Sequence, residues 1–363
     1  MTRLLSNQHR HPRAQIVDLA AFLPANTLTN DELAALYPEW PADKIFDKTG
    51  VRQRHIAADG ETASDLAYGA ALALFARGAV AAQDIDFVIL CTQAPDHVLP
   101  SSACVLQHRL GIPRSAGALD VSLGCSGFVY GLSLAKGLVE SGAATRVLLL
   151  TADTYSKYIH PRDKSVRTLF GDAAAATLVA AGSASDAGPD AGSNAAPGAR
   201  DGAIGPFVFG TDGSGARNLI VDAGGFRRPC DAASARETTD ASGNVRSADH
   251  LYMNGAEVFA FTLREVPLAV ERLLDKAGLA RDDIDLYVLH QANRFMLDAL
   301  RRKLGLDPAR MPVCMADVGN TVSSSIPLAL IALRDAGAIA PGARLMLIGF
   351  GVGYSWAATL ITL

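Results

Sequence analysis

The chain has 363 residues, 49% of them hydrophobic and 19% charged, and a formal net charge of −4. That balance suits a soluble globular protein of one large or two similar domains and gives no reason to expect nucleic acid as a partner. It holds no run of about 18 apolar residues that could span a membrane, and its opening, MTRLLSNQHRHPRAQ, lacks the apolar core of a signal peptide.

Five cysteines, Cys91, Cys104, Cys125, Cys230 and Cys314, make an odd set without metal-type spacing. A reduced, cytoplasmic setting is therefore expected, with no metal site. In chain order, the first clear strand-like run is Phe87–Cys91. A second, ALDVS, leads through Leu123-Gly124-Cys125-Ser126-Gly127 into the helical pattern FVYGLSLAKGLVES, and another strand follows at 147–151. Residues 181–202 are almost all Ala, Gly, Ser, Asp, Asn and Pro; they cannot bury enough apolar surface to order themselves and read as a mobile insertion. Residues 210–249 are polar and Gly-rich, which predicts surface excursions with a short hairpin. Strand patterns resume at Leu286–Leu289 and 345–349. Strands alternating with helical patterns predict α/β layers around a largely buried sheet.

The segment LFARGAVAAQDIDFVILCTQAP (74–95) repeats as LLDKAGLARDDIDLYVLHQAN (273–293), matching Asp84-Ile85-Asp86 to Asp283-Ile284-Asp285. Downstream, Asp120-Val121 matches Asp317-Val318, and RVLLLTADTYS matches RLMLIGFGVGYS. Two pairs in the same order predict a duplicated α/β unit. The expected division is a first half over 1–180, the insertion over 181–202 and a second half over 203–363.

The duplication bears on three residues. Cys125 sits on a Gly-flanked turn between strand and helix, where the partial positive charge of the helix start favours a thiolate. Equally, a free cysteine there can be a small buried apolar residue. His290 ends an apolar strand, and Asn320 sits in the turn Asp317-Val318-Gly319-Asn320-Thr321 before another helix; each alone also reads as a structural residue. Superimposed halves would bring all three to the C-terminal ends of strands, where open α/β sheets gather functional groups.

GCSGF, LHQAN, DVGNTVSSSIP and GFGVGYSWA, in that order, resemble the β-ketoacyl-ACP synthase III family of the thiolase superfamily. KTGVRQRHIA, PSSACVLQHRLG, LFGDAAAATL and MNGAEVF extend the likeness over nearly the whole chain. The resemblance implies a thiolase-like fold, two duplicated halves packed as α-β-α-β-α layers. It also implies a decarboxylating condensation of an acyl-CoA primer with malonyl-ACP, in fatty acid or related lipid and polyketide synthesis. Cys125 would be the nucleophile, His290 and Asn320 the enolate donors, and the backbone N–H groups of Cys125 and Val352 the oxyanion hole. Trp40, Leu99, Lys164, Met253, Gly255, Phe259, Asn293 and Phe350 would line the substrate path. Arg294, Arg301, Arg302 and Lys303 would meet the acidic carrier protein. No cofactor is implied, coenzyme A and carrier phosphopantetheine thioesters being substrates, and a homodimer is implied in which Leu99 closes the partner's acyl pocket.

The chemistry asks for these residue types. A thiolate forms a thioester that is itself a good acyl donor, and two neutral N–H donors suit an enolate oxygen. Four departures bear on substrates rather than chemistry. Val352 replaces a common glycine, Trp40 lies four residues further than usual from Gly50, Lys164 replaces an arginine, and Phe295 stands where a docking arginine is common. Two other readings remain open at this point. One is a thiolase-fold acyltransferase to an alcohol or amine; the other is a non-catalytic partner subunit, whose mark would be loss of the three residues.

Overall fold

The computed structural model describes residues 13–182 and 203–363; residues 183–202 of the expected insertion lie outside them. Two sheets share one topology. The first runs Ala14–Phe22, Ala173–Ala181, Arg146–Asp153, Phe87–Cys91, with Gly117–Val121 added at its edge. The second runs Ile204–Thr211, Ser355–Thr362, Arg344–Gly351, Leu286–Leu289. In both, the strand carrying the repeated motif lies parallel to its neighbour, Ile89 opposite Leu149 and Leu289 opposite Ile348. The next two joins are antiparallel in both sheets. The duplication read from the sequence is present in the fold.

The repeated Asp-Ile-Asp has one job per residue, done twice. Asp84 accepts from the Ala81 N–H at 3.3 Å and Asp283 from the Ala280 N–H at 2.7 Å, each closing a short turn ahead of its strand. Asp86 accepts from the Arg146 N–H at 2.9 Å and Asp285 from the Arg344 N–H at 2.7 Å, each fixing where the parallel neighbour begins. Ile85 and Ile284 are buried between them. Asp120 and Asp317 have diverged. Asp120 accepts from the first N–H groups of the helix Ser102–Arg109, whereas Asp317 pairs with Arg52.

Three apolar cores define five layers. Helices Gly127–Glu140 and Ser325–Asp335 lie between the sheets, where Phe128, Leu132, Ile326 and Leu330 pack on Ile89, Leu149, Val288 and Leu347. Helices Ala63–Ala76 and Ser102–Arg109 cover the outer face of the first sheet, with Leu66, Leu74 and Leu106 against Val88, Leu90 and Leu148. Helices Gly255–Ala277 and Arg294–Leu304 cover the second, with Phe261, Val270 and Leu300 against Tyr287 and Met346. Alternate residues of one strand thus enter different cores, which is why the strands are apolar throughout. The polar stretch after 210 contains the expected hairpin, Thr238–Thr239 against Val245–Arg246, held by Arg246 to Asp163 at 2.7 Å. No described helix is long and apolar enough to cross a membrane.

Candidate active site

Cys125 lies on the turn between Gly117–Val121 and the central helix Gly127–Glu140, with 5% of its surface exposed. The C-terminal strand presses its backbone on this turn. A Cβ on Gly351 would come within 2.9 Å of Cys125 Cβ and 3.0 Å of its Sγ, and one on Gly349 within 2.8 Å of the Cys125 carbonyl oxygen. Only glycine permits that approach. Ser126 Oγ bonds to Ser355 Oγ at 2.7 Å, fastening the first-half turn to the second half. Val352 packs close to Gly124, whose Cβ would meet its side chain at 2.9 Å.

His290 follows the strand Leu286–Leu289, its N–H donating to the Ile348 carbonyl at 2.8 Å, and is 2% exposed. Its ring stands at 82° to that of Phe350, 5.4 Å between centroids. Phe350 and Gly351 are consecutive, so one dipeptide touches both His290 and Cys125. Asn320 is 5% exposed and held by two bonds across the halves: its N–H donates to the Leu169 carbonyl at 2.9 Å, and its carbonyl accepts from the Gly171 N–H at 3.0 Å. Its Oδ1 accepts from the Val322 N–H at 3.0 Å, which leaves Nδ2 as the outward donor. Gly319 (φ 72°) makes the tight approach possible, since a Cβ there would sit 2.8 Å from the Leu169 carbonyl oxygen. Cys125 and His290 are thus joined through Phe350-Gly351, and on the other side Val322, two residues past Asn320, lies 3.3 Å from where a Gly124 Cβ would stand.

Burial decides their protonation. It pushes the Cys125 thiol well above its ordinary value, with the nearby Asp153 carboxylate acting in the same direction. The expectation that the helix start favours thiolate is therefore corrected for the resting site. The partial charge of a helix end is worth about 0.3–2 kcal/mol, and stripping water from a thiolate costs more. Burial lowers His290 to about 3, so its imidazole is neutral at physiological pH.

Two further residues adjoin this centre that the sequence had not singled out, although both lie inside quoted segments. Ser325 Oγ lies 2.6 Å from His290 Nδ1 and also accepts from the Gln291 N–H at 3.3 Å, which fixes the orientation of the imidazole ring. Asp153, completely buried, is the second.

A pocket of about 300 Å³ leads in from the surface, lined by Trp40, Lys48, Thr49, Ser165, Thr168, Leu169, Asn293 and Phe295. One of its lining residues, Leu169, accepts the Asn320 N–H at its carbonyl. Of the residues expected along the path, Trp40 and Asn293 line it; Asn293 also caps its helix by accepting from the Met296 N–H at 2.8 Å. Phe259 reaches the pocket by stacking on Phe295, 5.2 Å between centroids. Met253 pairs with Leu219 behind it, and Gly255 opens the helix that carries Phe259. Lys164 does not line it. Its ammonium donates to Glu39 and to the Ser242 carbonyl, both at 2.7 Å, and the neighbouring Ser165 lines the wall instead. Lys44 and Lys48 stand 5.4 and 5.6 Å from the Trp40 ring.

Among the residues expected to meet a carrier, Arg302 and Lys303 are exposed. Arg294 instead lies over the Phe46 ring at 4.6 Å, and Arg301 donates to the Leu306 carbonyl just past its own helix. Leu99 is 79% exposed beside Val98 at 80%.

The family described as 3-oxoacyl-[acyl-carrier-protein (ACP)] synthase III matches residues 119–193, and its C-terminal counterpart matches residues 274–363. A Streptomyces coelicolor protein, β-ketoacyl-[acyl-carrier-protein] synthase III 3, is 36% identical, covering 96% of each chain. Among solved structures, a 3-oxoacyl-(acyl-carrier-protein) synthase III is 65% identical with a TM-score of 0.92, covering 97% of this chain and 100% of that one. A 3-oxoacyl-(acyl-carrier protein) synthase from Burkholderia xenovorans LB400 is 38% identical with a TM-score of 0.84, covering 97% and 94%. With both halves matched and the likeness running nearly end to end, this chain belongs to the β-ketoacyl-[acyl-carrier-protein] synthase III family.

Proposed function

We propose that the chain condenses an acyl-CoA primer with malonyl-ACP through a thioester on Cys125, with His290 and Asn320 holding the enolate. The reaction class is that of its family, a decarboxylating condensation in fatty acid biosynthesis catalysed by an acyltransferase. Cys125 displaces the coenzyme A thiol and takes the acyl group, its own proton leaving with that thiol. The malonyl thioester then loses CO2, and its enolate attacks the acyl carbonyl and expels the Cys125 thiolate. The observation that carries this reading is the pair of neutral, preoriented donors. Burial keeps His290 uncharged, Ser325 fixes the orientation of its ring, and the Val322 N–H on Asn320 Oδ1 leaves the amide nitrogen as the donor. Two such donors fit an oxygen that gains charge in the transition state. The backbone N–H groups of Cys125 and Val352 are the proposed oxyanion hole for the acyl-transfer steps, supported by the packing of 349–352 on the Cys125 turn.

Intact-protein mass spectrometry after incubation with a panel of acyl-CoAs tests the first step. One acyl mass is expected on the wild type and none on Cys125→Ser; label at Cys91 or Cys104 would sink the assignment. Cys91 is a fair control, being buried with its thiol also pushed up.

The same reading includes a two-fold dimer whose subunits complete each other's acyl pockets. Exposed Val98 and Leu99 support it, as does Gly117–Val121, which stands at the edge of its sheet with half-buried Leu119 and Val121. Leu99→Phe is expected to shorten the longest acyl group accepted while leaving acetyl-type priming nearly unchanged. A monomer in sedimentation at micromolar concentration would contradict the arrangement. Arg302 and Lys303 are the proposed contacts for the acidic carrier.

A further inference from the structure

We propose that Asp153 is a positioning residue for the decarboxylation step: by gripping Ser323 it holds the Asn320 amide in place. The proposal rests on the reading of Asn320 as an enolate donor. Asp153 ends the strand Arg146–Asp153, is completely buried, and has no ion-pair partner among the described residues. One carboxylate oxygen accepts from the Gln93 N–H at 2.8 Å; the other accepts from Ser323 Oγ at 2.5 Å and the Ser323 N–H at 3.3 Å. It therefore joins the strand ends of the first half to the loop of the second half that carries Asn320.

That loop needs holding. Val322, beside Ser323, has φ 54°, a conformation costly for a β-branched residue. The Val322 N–H is also the group that orients Asn320 Oδ1. On the far side Ser324 Oγ donates to the Thr151 carbonyl at 3.0 Å, while Asp153 takes both the hydroxyl and the N–H of Ser323, next to Val322. Freed from Asp153, Val322 can relax and turn the Asn320 amide away.

An isolated buried carboxylate is expensive to keep. Burial raises Asp153 to about 7, with the charge of Asp172 adding to the effect and Cys91, Cys125, Tyr155 and Tyr158 also facing it. The ionised form accepts all three bonds. A proton on the oxygen facing Ser323 would set O–H against N–H, so the grip weakens as pH falls through that value.

The test separates the two half-reactions: acyl-Cys formation by intact mass, and CO2 release from malonyl-ACP by enzyme already acylated, which removes the Cys125 titration. Asp153→Asn keeps the shape but turns an NH2 toward a donor. It should acylate within about threefold of wild type and release CO2 at least about tenfold more slowly, as expected for a misplaced catalytic group. The wild-type fall in CO2 release below pH 7 should flatten. Ser323→Ala, which removes one bond and spares the carboxylate, should slow CO2 release in the same sense but less. Equal losses in both steps, or CO2 release unchanged in either variant, would overturn the proposal. If Asp153→Asn does not fold, Ser323→Ala and the wild-type pH profile decide. Asn320→Ala runs alongside: normal CO2 release there removes the underlying reading, whereas loss there with none in the Asp153 and Ser323 variants removes only this proposal.

Discussion

Cys125→Ala is expected to make no ketoacyl product yet still release CO2 slowly from malonyl-ACP, while Asn320→Ala is expected to accept an acyl group and lose most of that release. The split follows from where each residue acts. Cys125 holds the first acyl group but takes no part in breaking the malonyl carboxylate bond. Asn320 and His290 act on the charge that develops as that bond breaks, so their value appears chiefly in the transition state. Removing one preoriented donor from a dry site typically costs on the order of 100-fold, about 3 kcal/mol. Asn320 is 5% exposed and its amide is fixed by the Val322 N–H, so the full penalty should appear. The assay is CO2 release from malonyl-ACP and malonyl-CoA in turn, beside the intact mass of the protein. If acylated wild-type enzyme releases CO2 from neither, condensation is the wrong reading and acyl transfer to an alcohol or amine takes its place.

Gly351→Ala should be nearly as damaging, although it adds one methyl group and removes no functional atom. The new carbon would lie 2.9 Å from Cys125 Cβ and 3.0 Å from its Sγ, tighter than ordinary contact, and neither neighbour is a flexible tail. Either the nucleophile turn or the strand Arg344–Gly351 must give way, and such overpacking costs about 1–3 kcal/mol. The displaced parts are Sγ itself and the Val352 N–H that follows, and a shift near 1 Å in a reacting group costs about 100-fold in rate. The expected result is acyl-Cys formation slowed at least about tenfold with the fold retained by circular dichroism. Acylation at the wild-type rate would show that Gly351 does not set the position of the nucleophile.

Much of this arrangement was legible in the sequence. Asp84-Ile85-Asp86 and Asp283-Ile284-Asp285 announced the duplication because each residue makes short-range bonds that any copy of the unit needs. Cys125, His290 and Asn320 each also read as structural when taken alone; they stood out because GCSGF, LHQAN and DVGNTVSSSIP occur in the order in which the family carries them. The fold class and the repeat were therefore legible in the sequence alone, and its motifs named the three candidate residues.

Tertiary structure decided what those residues are in chemical terms. The helix start beside Cys125 suggested a thiolate, yet burial among residues from both halves keeps the resting thiol protonated and His290 neutral. Lys164 was expected beside the substrate nucleotide and Arg294 and Arg301 at the carrier, and the structure adds what each meets: Glu39, the Phe46 ring and the Leu306 carbonyl. Asp153, Ser325 and Gly351 lie inside quoted motifs, yet their roles were not legible there, because their partners lie far along the chain or across the two halves. Periodicity records which face of an element is apolar. It does not record how little water reaches a turn or which distant donor meets a carboxylate, and in this site those two quantities set every protonation state.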